Sequence, residues 1–281
     1  AISDKFSIMG GIRYSWFQKT GPSEVNIYED GVPLSEESFI DVESYEKGEV
    51  INSYDGLEPR LSFRMGLPVN SSLKFSYNRM YQYIHLLSNT MAVTPIDIWK
   101  PSGLYIRPQF SNQYSVGYFK NFLENSIETS VEVFYKDITD LLEYKDGAKL
   151  VLNKYIEEEL IHGDGRAYGI ELFIRKKLGK LTGWIAYTYS RSERKVIGLN
   201  EEETINNGDY YPTYYDRPHD LTLTAHYQIT RRWSFSANYL YMSGRPATFP
   251  ENKYIIDRFT VAGYGERNQY RIPDYHRLDI S

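Results

Sequence analysis

The sequence predicts an all-β chain, a transmembrane antiparallel up-and-down β-barrel of which about ten strands are visible. Three observations predict it: period-two alternation from end to end, connections that alternate between long and short, and tyrosine at 27 of 281 residues beside a hydrophobic fraction of only 41%. A water-soluble domain hides aromatics in a core rich in Leu, Ile and Val, whereas a barrel in lipid wears them as girdles at the two interfaces. Tyrosine suits that belt because its ring is apolar and its hydroxyl is wet. No run of about 18 apolar residues is present, so no transmembrane helix is available, and only a closed barrel satisfies a backbone immersed in lipid.

The alternation is sharpest at Leu221 to Ile229, where Leu221, Leu223, Ala225, Tyr227 and Ile229 share a face opposite Thr222, Thr224, His226 and Gln228. The next segment sets Trp233, Phe235, Ala237, Tyr239 and Tyr241 against Arg232, Ser234, Ser236 and Asn238. Similar runs lie near Phe6 to Phe17, Arg60 to Leu67, Ser72 to Tyr83, Gln109 to Phe119, Ser126 to Lys136, Ala167 to Lys176, Leu181 to Arg191, and Tyr275 to the end. Thr182 to Ser190 carries aromatics on both faces and leaves its orientation open. Many runs have roughly nine to eleven residues, the length of a tilted strand crossing a bilayer.

Short turns are expected near Pro68 to Ser71, Asn121 to Asn125, Gly179 to Lys180 and Thr230 to Arg231. Long polar connections fall near Thr20 to Glu58, His85 to Pro108, Tyr144 to Arg166, Ser192 to Pro218 and Ser243 to Asp274. Tight periplasmic turns and large external loops give an outer-membrane barrel this signature. Within the loops, Asn153 to Leu160 reads as a helical turn or two. The opening AISDKFSIMGG shows no signal peptide. Free edges are costly in lipid, so residues 1–281 are expected to be part of a single outer-membrane barrel domain, with its other strands outside this chain.

Several stretches resemble the TonB-dependent outer-membrane receptors of the Bacteroidetes type. They are His85-Leu86-Leu87-Ser88-Asn89-Thr90, Pro95-Ile96-Asp97-Ile98-Trp99-Lys100-Pro101, Tyr114-Ser115-Val116-Gly117-Tyr118-Phe119, Gly163 to Glu171, Tyr215 to Leu221, and Tyr275-His276-Arg277-Leu278-Asp279. Their order and spacing hold over Tyr54 to Ser281. The resemblance implies a barrel of about 22 strands plugged by an N-terminal domain. It also implies active uptake of a scarce ligand (siderophore, vitamin, oligosaccharide or peptide) across the outer membrane of a Gram-negative bacterium. TonB would be the partner through the plug, which is not in this chain, with a surface lipoprotein as a further candidate partner. A passive porin or adhesin barrel is the alternative, and an enzyme sited at the barrel rim a third.

Cysteine is absent and the net charge is -5, which leaves no thiolate site and no electrostatic footprint for nucleic acid. No cofactor is expected. The five histidines, His85, His162, His219, His226 and His276, lack the paired spacing of a zinc site. Asp216, Arg217, His219 and Asp220 imitate a catalytic cluster, yet their place between a long loop and a strand fits a charge network pinning the loop to the rim. No Ser or Asp has a convincing base partner, so an enzyme is not expected. Gly163-Asp164-Gly165 lacks a strand-to-helix context for phosphate, and Glu157 to Glu159 and Glu201 to Glu203 read as solvated loop faces. The ligand-binding candidates are Trp99, Tyr210, Tyr211, Tyr214 and Tyr215, able to stack on a sugar or flat ligand, with Arg245 and Arg258 for anionic groups.

Overall fold

A computed structural model describes residues 5–87, 97–150, 153–256 and 259–281. Ten strands form its main sheet: β1 (Phe6–Thr20), β2 (Val50–Leu67), β3 (Ser71–Gln82), β4 (Gln109–Phe122), β5 (Ile127–Tyr144), β6 (Leu160–Lys176), β7 (Leu181–Lys195), β8 (His219–Gln228), β9 (Ser234–Met242) and β10 (Tyr275–Ile280). Each pairs antiparallel with its chain neighbours, and Tyr211–Pro212 adds a short piece against the end of β7. Among the described residues β1 and β10 have one partner each, so the sheet is open.

Short turns and long connections alternate along the whole chain, as expected. In the β2–β3 turn, Val69 and Asn70 both take positive φ, +60° and +50°. Such a mirror-image turn twists with its flanking strands. Gly179 at φ +100° closes the β6–β7 turn, a conformation costing glycine nothing. The long connections carry hairpins of their own, Ser23–Tyr28 with Phe39–Tyr45 and Ile84–Leu87 with Ile98–Pro101 among them. Asn153 to Leu160 is less helical than expected: Ile156–Glu159 makes one tight turn, and Leu160 already begins β6.

Several strands outrun their expected bounds at the long-loop end. β2 starts at Val50 rather than Arg60, β5 runs on to Tyr144, and β6 begins at Leu160 rather than Ala167. The added stretches are rich in Asp, Glu and Gly, which hides them from an alternation of apolar and polar residues. Pro59 sits inside β2, but pairing with β3 starts only at Arg60. The missing N–H therefore falls at the boundary of a free edge, where proline is tolerated.

Cross-strand register sorts the side chains by chemistry. One row reads Phe63, Phe75, Val116, Val133, Ile170 and Tyr189 from β2 to β7. The row nearer the long loops reads Leu61, Tyr77, Tyr114, Tyr135 and Tyr168, four tyrosines on adjacent strands. On the opposite face, one row reads Arg64, Lys74, Gly117, Glu132, Glu171, Thr188 and Asp220. The Ser76 and Ser115 hydroxyls meet there at 2.6 Å. The open orientation of Thr182 to Ser190 resolves: Tyr187 and Tyr189 join the apolar face, while Trp184 lies opposite, 6.4 Å from Phe173. Glycines on the polar face let rings lie flat, since a Cβ on Gly117 would come within 2.8 Å of Phe119 and one on Gly169 within 3.0 Å of Phe134.

Among the described residues none covers the apolar face. Ile12 is 78% exposed and Val133 52%. Burial in hydrocarbon contributes about 25 cal/mol per Å² of apolar surface, a term this face gains only from a nonaqueous surround. Arginine at Val133 is therefore expected to destabilise the folded barrel in vesicles by about 2–4 kcal/mol, and arginine at Ser130, on the other face of β5, by much less. Urea titration of the full-length protein in lipid vesicles measures both, and equal costs would count against the sidedness.

Candidate functional site

Above the tyrosine row the strands continue into loops with small cores of their own. Leu87, Ile106, Tyr144, Ile156 and Leu160 form one buried cluster, and Ile161, Val196, Ile205 and Tyr211 a second. These draw on segments far apart in sequence. Burying several such side chains where loops meet the outer ends of β5 and β6 stabilises the loops as an ordered layer, each contributing roughly 1.5–3 kcal/mol before the entropy of ordering is subtracted.

Polar contacts then bind loop to loop. In the β1–β2 loop, the Tyr28 hydroxyl donates to Glu158 of the β5–β6 loop at 2.7 Å, and the Tyr28 N–H donates to the Tyr105 hydroxyl at 3.1 Å. Burial, then the bond to Glu158, pushes the Tyr28 phenol well above its ordinary pKa. Lys145 donates to the Leu34 carbonyl at 3.1 Å and pairs with Glu203 at 2.7 Å, joining three loops. Lys100 pairs with Glu157 at 2.9 Å. The two glutamate runs are thus not simply solvated: Glu157, Glu158 and Glu203 are structural partners, and Glu203 is only 8% exposed.

Two arginines of the last loop hold it to the others. Arg267 pairs with Glu143 at 3.2 Å and with Asp146, and donates to the Tyr144 carbonyl at 2.9 Å. Its N–H donates to Asn206 Oδ1 at 2.8 Å, while Asn206 Nδ2 donates back to the Arg267 carbonyl at 3.0 Å. Burial alone would lower the Arg267 pKa, but the Glu143 and Asp146 carboxylates hold it above its ordinary value. Glu143 also takes Arg194 at 2.6 Å and the Tyr211 hydroxyl at 3.3 Å. Arg271 pairs with Asp216, which is 1% exposed and accepts the Ser192 N–H at 2.6 Å. Of the network expected from Asp216, Arg217, His219 and Asp220, only Asp216 pins the loop, and its cations are Arg271 and Arg191. Arg217 donates instead to the Met242 sulfur at 2.6 Å, and His219 meets the Tyr187 hydroxyl at 2.8 Å.

The ligand candidates divide in this frame. Tyr214 and Tyr215 meet edge to face at 5.0 Å, with the Arg194 guanidinium 5.9 and 6.0 Å from their rings. Tyr210 lies 3.8 Å beneath the Arg166 guanidinium and is 41% exposed. Trp99, 67% exposed, stands opposite Leu86 on a separate hairpin. Arg245 is exposed, and its carbonyl accepts the Ile272 N–H at 3.0 Å. Tyr211 differs: it is 2% exposed in a loop core, its phenol pushed up by burial and then by Glu143, so its ring offers no face to a ligand. Arg258 lies outside the described residues, as do Ser88 to Thr90 and Pro95-Ile96 of the first two resembling stretches.

Glu143, Arg194, Arg267 and Arg271 escaped sequence reasoning, because no local spacing marks partners that only the topology brings together. An open cleft of about 920 Å³ between the β1–β2, β5–β6 and β7–β8 loops is lined by Glu29, Glu36, Glu37, Lys145, Lys149 and Glu202, among others. Its excess of carboxylates favours cationic over anionic groups. Among the described residues no three His, Asp or Glu side chains converge on a metal geometry.

A strand-by-strand apolar face beneath interlocked loops is the wall of an outer-membrane-type barrel. The family described as TonB dependent receptor-like, beta-barrel matches residues 1–281, and the chain belongs to that family. Among solved structures it is similar to the ferric-catecholate import receptor Fiu of E. coli K12 (16% identity, TM-score 0.57), covering 99% of this chain and 36% of that one. The ferripyoverdine receptor of Pseudomonas aeruginosa (13%, TM-score 0.60) is covered over 30% of its length, and the ferric yersiniabactin uptake receptor FyuA of Yersinia pestis (16%, TM-score 0.56) over 35%, each again taking in 99% of this chain. The chain thus spans about a third of these receptors. No curated protein matches in sequence.

Removing the Glu143 carboxylate leaves two half-buried guanidiniums, Arg194 and Arg267, without it, a loss that costs less than the roughly 3–5 kcal/mol of a fully buried pair. Glu143→Gln is expected to free the last loop for cleavage by trypsin at Arg267 while the strands stay protected. A wild-type digestion pattern would contradict the latch.

His85, buried with its Nε2 3.2 Å from the Ser102 hydroxyl, has its pKa lowered from 6.5 by burial. Below 6.5 the unfolded imidazole takes a proton before the folded one does, so stability present at neutral pH is lost as the pH falls through that window. The β3–β4 loop is expected to exchange its amides faster at pH 5 than at pH 7 after correction for intrinsic rates. His85→Gln should reduce that dependence. His162, its pKa lowered to about 4 by burial where it accepts the Arg107 N–H of the same loop at 3.1 Å, should carry the rest, so that only the His85→Gln, His162→Gln pair abolishes it.

Proposed function

We propose that this chain supplies barrel wall and external loops to an outer-membrane receptor that takes up a scarce ligand actively, with TonB acting through a plug outside the chain. The observation that carries the reading is the interlocked loop layer on an apolar-faced wall, in a chain of this family. A pore for passive diffusion has no need of five loops fastened to one another, whereas a receptor needs a preorganised surface on which a dilute ligand can bind. The protein resides in the outer membrane of a Gram-negative bacterium, facing lipid with the row Phe63 to Tyr189. The order of the motifs from His85 to Asp279 supports the Bacteroidetes type within the family. The protein is a receptor and not an enzyme.

The ligand meets Trp99, Tyr210, Tyr214 and Tyr215 by stacking and Arg245 by charge, with Arg258 assigned from sequence alone. Siderophore, vitamin, oligosaccharide and peptide remain the ligand classes, and a surface lipoprotein is a further candidate partner.

Cells expressing the full-length protein are offered radiolabelled ferric siderophores, cobalamin, oligosaccharides and peptides, with and without TonB. Accumulation of one class that depends on TonB is expected, falling at least tenfold in the Trp99→Ala, Tyr214→Ala, Tyr215→Ala combination. Uptake that persists without TonB would instead favour a passive pore.

A further inference from the structure

The four short turns carry charge unequally. Pro68 to Asn70 and Leu123 to Ser126 hold no cation and one carboxylate, Glu124. The β6–β7 and β8–β9 turns, with the residue before them, hold Lys176, Lys177, Lys180, Arg231 and Arg232, all exposed. These two turns are neighbours, since β7 pairs with β8 from Leu181 opposite Tyr227, and Gln228 N–H donates to the Lys180 carbonyl at 2.8 Å. Of the five cations only Lys177 is engaged, by Glu128; no carboxylate pairs with the other four among the described residues.

The Thr230 hydroxyl fixes the β8–β9 turn by accepting the N–H groups of Arg232 at 3.2 Å and Trp233 at 3.1 Å. Beside the cations the apolar face carries its own anchors: Leu181 and Tyr227 pair on it, Ile229 and Trp233 continue it, and Trp233 is 72% exposed. Lys176 starts on that same face, opposite Ile127 and Gly183, and its Nζ reaches back over Gly179. A long cation stretching from the apolar face toward the water boundary is snorkelling.

We infer that this rim binds the headgroup of an anionic phospholipid in the periplasmic leaflet. Lys176, Lys180, Arg231 and Arg232 take the phosphate, and Leu181, Ile229 and Trp233 lie along the acyl chains. Charge complementarity selects the occupant: Lys176 on the apolar face itself, and Lys180, Arg231 and Arg232 in the exposed turns that close it, have no carboxylate partner among the described residues and lie beside exposed apolar anchors, a combination a water-borne acidic partner would not need. The inference rests on the membrane-spanning reading above.

The test uses the full-length protein with phosphatidylglycerol and phosphatidylcholine as probes. Flotation with phosphatidylcholine vesicles, together with a heat-modifiable band, reports spanning alone. Native mass spectrometry then counts retained lipid. Wild-type protein is expected to keep phosphatidylglycerol at least tenfold better than phosphatidylcholine, with the preference falling as salt rises. Lys176→Gln with Lys180→Gln, Arg231→Gln and Arg232→Gln should abolish it, and Arg231→Gln with Arg232→Gln alone, on an exposed turn, should weaken it severalfold. Lys47→Gln with Lys253→Gln, at the opposite end, should leave it intact. A protein that inserts but binds both lipids alike, or variants that keep the preference, overturns the lipid site and leaves the spanning reading standing. A protein that does not insert overturns both.

Discussion

A peptide N–H in hydrocarbon has no water to bond, and leaving it unpaired costs several kcal/mol. That constraint organises this chain more than any packing of side chains does. Each of β2 to β9 is paired on both sides, and register slips are confined to the long-loop end, at Lys19/Thr20 and Gly163/Gly165, where water can satisfy what the ladder leaves open. A one-residue slip lower down would turn Val131, Val133 and Tyr135 to the wet side and bring Ser130, Glu132 and Phe134 into lipid. The apolar rows hold the register because each strand's error would be read by its neighbours.

Outside the lipid the rules reverse. The loops are built like fragments of a soluble protein, with small apolar cores and ion pairs shielded from water, and their stability comes from contacts between segments rather than from the ladder. Arg267 and Lys145 each join three loops, their own included, so loosening one connection transmits to others. Such coupling lets the loop layer hold one shape and yet be released locally, since loop layers open at lower free energy than the sheet beneath them.

The ten strands and the sorting of loops were legible because both follow from lipid on one face and a fixed bilayer thickness, which Leu221 to Ile229 displays almost alone. The outer extensions of β2, β5 and β6 were not, since residues such as Asn52, Asp55 and Glu58 pair through backbone in a region where apolar and polar residues no longer alternate. The candidate site was read only in part. Aromatic loop residues stood out by type, but type does not distinguish Tyr210, accessible under Arg166, from its neighbour Tyr211, which turns into a core around Val196. Arginines far along the chain decided that difference, and no spacing in the sequence brings Arg267 to Glu143.

The claim that lipid bathes the face of Val131 and Val133 is tested most directly by nitroxide labels at successive positions from Ser130 to Tyr135 in the full-length protein in bilayers. The account predicts oxygen accessibility high at 131, 133 and 135, low at 130, 132 and 134, with the reverse order for a water-soluble nickel reagent. Uniform accessibility, or maxima at the even positions, would contradict it.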